Sequence, residues 1–319
     1  DVYKRQGYNR YNNYINYKEV SSMVIALKND DLEVQCKTFG GELSSIRSKE
    51  GIEYLWQGDP EYWSGQAPVL FPICGSVRNG QVQYHLKDGV KTGQLPRHGL
   101  IRKREFELKE QTDHRLVFEI TSNEESLQNY PYHFRVEIVY ELQGKEITIT
   151  YRVQNLESDQ VMPYFIGGHP AFHCRLLADE DYEDYELIFE KEESCSVPLL
   201  FTETGLVDRL QRTPFFDHKR SLPLRHELFE KDAIILDQLA SKSVKLISKK
   251  SGKGLEFDFA DFENLVLWST NNKGPFIALE PWTGISTSAE EGDFFEDKKG
   301  VIQLDPQETR SHQYRITIL

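Results

Sequence analysis

The sequence predicts an all-β protein, a large antiparallel β-sandwich with few and short helices. Three observations carry that expectation. Short runs rich in Val, Ile, Phe and Tyr recur along the chain, cut by clusters of Gly, Asn, Asp and Lys, as in LEVQCKTF, QVQYHLKDG, RLVFEITS and the closing HQYRITIL. The 18 Phe, 16 Tyr and 4 Trp suit pleated, half-buried surfaces better than a helical bundle. Helical periodicity is confined to short stretches near Glu124–Asn129, Glu227–Lys231 and Ala289–Phe295.

Two hairpins are explicit. From Phe134 to Val153, two alternating runs join at Gln143-Gly144-Lys145. In the second run Ile147, Ile149 and Tyr151 share one face, and Thr148, Thr150 and Arg152 the other. Val244 to Phe259 repeats the device around Ser251-Gly252-Lys253-Gly254. No repeat of roughly 20–50 residues and no Pro/Gly/Ser linker divides the chain, so residues 23–319 read as one domain. Residues 1–22 are polar, rich in Tyr and Asn, and lack strand alternation; they read as a disordered extension outside the fold.

Bulk composition excludes some partners. Asp and Glu number 51 against 38 Lys and Arg, a formal net charge of -13, which disfavours a nucleic-acid backbone as ligand. Cys36, Cys74, Cys174 and Cys195 are scattered and form no CxxC pair, the pattern of a reducing compartment rather than of a disulfide scaffold. No apolar run approaches the roughly 20 residues of a membrane span, and the first residues hold no apolar signal segment. The expectation is a cytoplasmic protein with no membrane partner.

Several catalytic signatures are missing: GxxxxGK[ST], GxGxxG after a strand, GxSxG and HExxH. What stands out instead is a set of polar residues in apolar, Gly- or Pro-flanked settings. Ala67–Gly80 is an apolar strand broken by Pro68 and Pro72 that runs into a turn bearing Arg78. Leu95–Leu100 sets His98 between Pro96-Arg97 and Gly99. Met162–Phe172 delivers His169 after Gly167-Gly168, a pair that lets a ligand approach the backbone. Phe276–Trp282 ends an apolar strand on Glu280, followed by Pro281 and Trp282.

Each has a plain structural reading beside the functional one. A His near Gly and Pro is often a satisfied turn residue, which weighs most on His98. His169, on an apolar strand, needs a polar partner, and burial lowers its pKa. Glu280 is the sharpest signal, because a Glu closing FIALE requires a structural cation or a chemical task. Arg78 alone reads as a solvated turn residue. Trp282 and Trp56 can be core, although indole faces also pack on sugar C–H surfaces. His169 and His173 do not make a metal site, since four strand residues span ~13 Å and Pro170 opposes a helix. Paired carboxylates for glycoside hydrolysis are available among Asp232, Asp237, Asp258 and Glu280, but no spacing selects two of them.

Six segments in order resemble the aldose 1-epimerase (galactose mutarotase) superfamily and its LacX-like branch: GGELSSI at 40–46, EYLWQGDPEYW at 53–63, APVLFPICGSVRNG at 67–80, LPRHGLIRKREF at 95–106, MPYFIGGHPAF at 162–172 and FIALEPWTG at 276–284. The resemblance implies a β-supersandwich with a cofactor-free site, needing neither metal nor nucleotide, that takes a small-molecule sugar, an aldohexose or its phosphate. It implies His169 as acid, Glu280 as base and His98 as the second histidine, with Arg78 holding the sugar. An acidic residue that contacts sugar hydroxyls in the family falls on Asp232, with Asp237 as the alternative. The function implied is anomer exchange by a monomer or homodimer. The alternatives are a non-catalytic sugar sensor, a hexose-6-phosphate mutarotase, for which Arg78, Arg97, Arg102 and Lys103 could serve the phosphate, and a glycosidase.

Overall fold

The computed structural model describes residues 22–319. The expectation for residues 1–22 therefore lies outside the described residues except for Ser22, whose hydroxyl accepts from the Phe39 amide at 3.2 Å. Two antiparallel sheets make the sandwich. The larger has nine strands, in spatial order Leu206–Pro223, Tyr185–Phe201, Ser243–Ser248, Gly254–Asp258, Thr309–Ile318, Glu146–Asn155, Phe134–Gln143, Arg115–Thr121 and Glu107–Gln111. The smaller runs Ile234–Leu236, Asn264–Trp268, Phe276–Trp282, Gly167–Gly168 and Val69–Leu70, with Ala171–His173 also paired to Phe276–Trp282.

The alternation read from the sequence governs the larger sheet. Ile147, Ile149, Tyr151 and Val153 are buried on one strand, and Val136, Ile138, Tyr140 and Leu142 on its hairpin partner. Apolar side chains at period 2 give each strand one core-facing edge, and aromatic pairs then bridge the sheets. Phe172 meets Phe257 at 6.1 Å between ring centroids, and Phe71 meets Phe134 at 4.9 Å. The second expected hairpin forms as Ser243–Ser248 with Gly254–Asp258.

Of the three short helical stretches, Glu124–Asn129 is an α-helix capped by Asn123, which accepts from the Ser126 amide at 2.9 Å. The second is a 3-10 turn, His226–Phe229. Ala289–Phe295 is not helical. Arg78 draws on the carbonyls of this loop: it donates to that of Glu291 at 2.8 Å and to those of Ser288 and Ala289 at 3.4 Å.

Two features of the fold prepare the site. Along Phe276–Trp282, Ile277 and Leu279 join the main core, while Phe276 and Ala278 form a second small core with Trp56 and Ala171. Glu280 alternates onto that second face, away from the sandwich interior. The longest hairpin, Tyr185–Phe201 with Leu206–Pro223, extends past its neighbours until its tip reaches the same face, where Val207 bridges Ser288.

Candidate active site

A cavity of about 340 Å³ opens on this face, at the small end of the roughly 300–1,000 Å³ usual for ligand sites. His98, His169, Asp232, Glu280 and Trp282 line it, so five of the six residues singled out from sequence meet in one place. The sixth does not. Arg78 is absent from the lining; its guanidinium is closed by Asp293 at 2.7 Å and by the Glu291 carbonyl. Two arginines from the next motif, Arg97 and Arg102, occupy the cavity in its stead.

Glu280 sits on the middle of the smaller sheet, registered against Val266 on one side. It is 1% exposed and His169 is 8% exposed. His169 Nε2 lies 3.3 Å from Glu280 Oε1, while His169 Nδ1 and Glu280 Oε2 are buried without a protein partner. Polar atoms of this kind are rare inside a fold and point to a ligand or a chemical task. Burial first, then the nearby charge of Asp232, push the Glu280 carboxyl well above its ordinary range; the Trp282 indole N–H acts weakly in the opposite sense. Burial holds His169 down to about 3. Both shifts favour the uncharged form of each group.

His169 is placed by its neighbours. Its amide donates to the Pro68 carbonyl at 3.0 Å, and its ring lies between Trp63, 5.0 Å away and tilted, and Trp268, 5.4 Å away and edge-on. The preceding glycines serve packing, not ligand approach as the sequence suggested. A β-carbon on Gly167 would come within 2.8 Å of the Pro281 carbonyl oxygen and of the Trp282 ring, and one on Gly168 within 2.8 Å of the Tyr151 hydroxyl. The pair lets the strand lie flat between its neighbour and the large sheet.

His98 adopts φ +68, and a reciprocal contact with Gly75 fixes it: the His98 amide donates to the Gly75 carbonyl at 2.8 Å, and the Gly75 amide donates to His98 Nδ1 at 3.2 Å. With Nδ1 accepting, Nε2 carries the hydrogen and is the donor available to a ligand. Burial, and after it the charges of His169, Arg102 and Arg97, hold His98 well below its ordinary pKa.

The choice between Asp232 and Asp237 falls to position. The short strand Ile234–Leu236 separates them: Asp232, at φ +77, lines the cavity, whereas Asp237 lines a different one and is gripped by both Arg212 terminal nitrogens at 2.5 and 3.1 Å. Trp282 is 5% exposed, donates from Nε1 to the Gly168 carbonyl at 3.2 Å and meets His98 edge-on at 5.6 Å, so it braces the histidines more than it offers a face. Sequence reasoning missed Trp63 and Trp268 as lining residues. Trp63 lay within the quoted EYLWQGDPEYW segment.

A family model described as Aldose 1-epimerase matches residues 23–317. Protein LacX, chromosomal, of Lactococcus lactis subsp. lactis is 56% identical over 298 residues, which are 93% of this chain and 100% of that protein. The structure of a galactose mutarotase related enzyme from Lactobacillus acidophilus superposes with a TM-score of 0.86 at 26% identity, covering 93% of this chain and 97% of that one. A galactose mutarotase-like protein from Lactobacillus casei gives 0.83 at 27% identity, covering 93% and 100%.

Proposed function

The chain belongs to the aldose 1-epimerase family, and from that premise we propose that it interconverts the α and β anomers of a hexose by general acid–base catalysis at Glu280 and His169. One observation carries the reading: a buried carboxyl and a buried imidazole stand 3.3 Å apart at the edge of a cavity also lined by His98 and Asp232.

Anomer exchange needs the C1 hydroxyl to lose a proton while the ring oxygen gains one. The pair is suited to both transfers. A single proton on the pair, passed from Glu280 to His169, leaves carboxylate and imidazolium without changing the total charge. The Glu280 carboxylate takes the proton from O1, and the His169 imidazolium gives one to the ring oxygen. The C1–O5 bond breaks, O1 becomes the carbonyl oxygen, and the open aldehyde turns about C1–C2. Closure on the other face reverses both transfers and restores the pair. His98 donates from Nε2 to a sugar oxygen, and the Asp232 carboxylate accepts from a hydroxyl. Trp63 and Trp268 flank the imidazole with apolar surface that excludes water and packs on sugar C–H groups. The balance of protons closes within the pair and the sugar, so the reaction calls for no cofactor.

Polarimetry of freshly dissolved α-D-glucose and α-D-galactose tests the reading. The protein should accelerate the drift to equilibrium well beyond the uncatalysed rate. A protein that binds hexose without accelerating exchange would be a sugar sensor on the same scaffold.

A further inference from the structure

We infer that the second cavity, the one reached by Asp237 at the far end of Ile234–Leu236, binds a small zwitterion such as a free amino acid, its carboxylate held by Arg209 and Lys299 and its ammonium by Asp261 and Glu263. The inference does not depend on the reaction assigned to the first cavity.

At about 510 Å³ the second cavity is larger than the first. Ile302 is the only apolar side chain on its wall, and among the described residues no Phe, Tyr or Trp stands there to take the C–H face of a sugar ring. Charge dominates instead. Two of the ionic side chains are neutralised within the protein, Asp237 by Arg212 at 2.5 Å and Arg310 by Glu308 at 3.1 Å. The other four, Arg209, Lys299, Asp261 and Glu263, form no ion pair among the described residues. They border one cavity without closing on each other.

The fold sorts these charges by sign. Arg209 and Lys299 are tied to one loop: the Arg209 amide donates to Ser288 Oγ at 3.1 Å, and the Lys299 amide donates to Glu291 Oε1 at 2.9 Å. Asp261 and Glu263 belong to the turn between Gly254–Asp258 and Asn264–Trp268, where the Gln313 amide donates to Asp261 Oδ2 at 2.9 Å. The cavity thus has a basic wall and an acidic wall. A simple anion is repelled by the second and a simple cation by the first; a ligand carrying both charges satisfies the two together.

The buried part of the wall adds directed polar atoms. Asn264 and His312 are each 7% exposed. Asn264 Nδ2 donates to the Trp282 carbonyl at 3.0 Å, and His312 Nε2 lies 2.8 Å from the Tyr164 hydroxyl. Among the described residues no hydrogen bond reaches Asn264 Oδ1 or His312 Nδ1, and Arg209 Nε is buried without a partner. A side chain pinned by one polar atom while the other stays open is pre-organised for a ligand. Burial holds His312 down to about 4, so its ring is neutral and leaves the balance of the two walls unchanged.

Calorimetric titration of the full chain tests the inference with four probes matched in carbon count: norvaline, 5-aminopentanoate, pentanoate and pentylamine. Norvaline carries its charges side by side and 5-aminopentanoate at its two ends, so whichever binds also gives the span between the walls. At least one of these zwitterions should bind with a Kd of about 1 mM or below, and about tenfold or more tighter than both singly charged analogues. Arg209→Gln and Glu263→Gln, checked for unchanged melting, should each weaken that zwitterion by about tenfold or more. Excess galactose should leave it bound. Failure of both zwitterions to bind, equal binding of pentanoate or pentylamine, affinity unmoved in both folded variants, or displacement by galactose overturns the inference.

Discussion

His169 Nε2 and Glu280 Oε1 meet at 3.3 Å, the imidazole from the link that follows Gly167–Gly168 and the carboxyl from the strand Phe276–Trp282, and burial shifts the pKa of both. Burial holds the imidazole down to about 3 and pushes the carboxyl well up, so each group favours its uncharged form. On the acid side activity is lost only when His169 takes a second proton, near its lowered value. On the alkaline side it is lost when the pair gives up its one proton, above the ordinary carboxylate range. The kcat profile for anomer exchange should therefore have its acid limb well below pH 6.5 and its alkaline limb above the ordinary carboxylate range. An acid limb centred near 6.5, the value of an unperturbed histidine, would contradict this state of the pair.

Asp232 raises Glu280 through its charge, after burial. Asp232→Asn removes that repulsion, so the Glu280 carboxyl ionises more readily and the alkaline limb of the profile should move to lower pH. Sugar binding should weaken as well. A limb that stays in place, in a variant with normal melting, would mean that Asp232 does not act on Glu280.

How much of this was legible in the sequence depends on the distance over which each feature is decided. Strand faces are local, and the alternation at Ile147, Ile149 and Tyr151 could be read directly. A Glu ending FIALE, or a His after Gly-Gly, advertises itself by clashing with its own neighbours in the chain. The cavity is assembled from segments far apart, so what lines it beside those residues is a tertiary matter. Arg78 and Arg97 look alike in sequence, each in a turn after a proline-broken run. Only the loop that brings Asp293 and the Glu291 carbonyl to Arg78 removes it from the site. The same loop, with its carbonyls drawn toward Arg78, is why the helical pattern at Ala289–Phe295 does not fold as one. Asp232 and Asp237 could not be separated by spacing, because the strand between them sends them to different cavities.

The tryptophans should divide by burial. Trp282→Ala removes an almost fully buried indole and its bond to the Gly168 carbonyl, and should cost about 3–5 kcal/mol of stability. Trp63→Ala, at a partly exposed ring tilted against His169, should instead raise KM with a smaller loss of melting temperature. Chemical denaturation beside steady-state kinetics tells them apart; a Trp282→Ala protein of normal stability and poor binding would reverse the assignment.

Gly168 tests the packing account of the Gly-Gly pair. Gly168→Ala places a β-carbon about 2.8 Å from the Tyr151 hydroxyl, and overpacking of this kind costs about 1–3 kcal/mol. Adding Tyr151→Phe removes the obstructing oxygen and should restore part of the loss, although it also breaks the 3.3 Å bond from Tyr151 to Tyr314. A double mutant no more stable than Gly168→Ala alone would show that the glycine is required for another reason.

The most direct test of the account is Glu280→Gln, followed by exchange rate, sugar affinity and melting temperature on the same preparation. The amide keeps the size of the side chain and much of its hydrogen bonding but can neither take the O1 proton nor share one with His169. A general acid–base group contributes about 10²–10⁴-fold, so exchange should slow by at least ~100-fold while sugar still binds and the fold persists. Exchange near the unmodified rate by folded Glu280→Gln protein would contradict the mechanism at its centre.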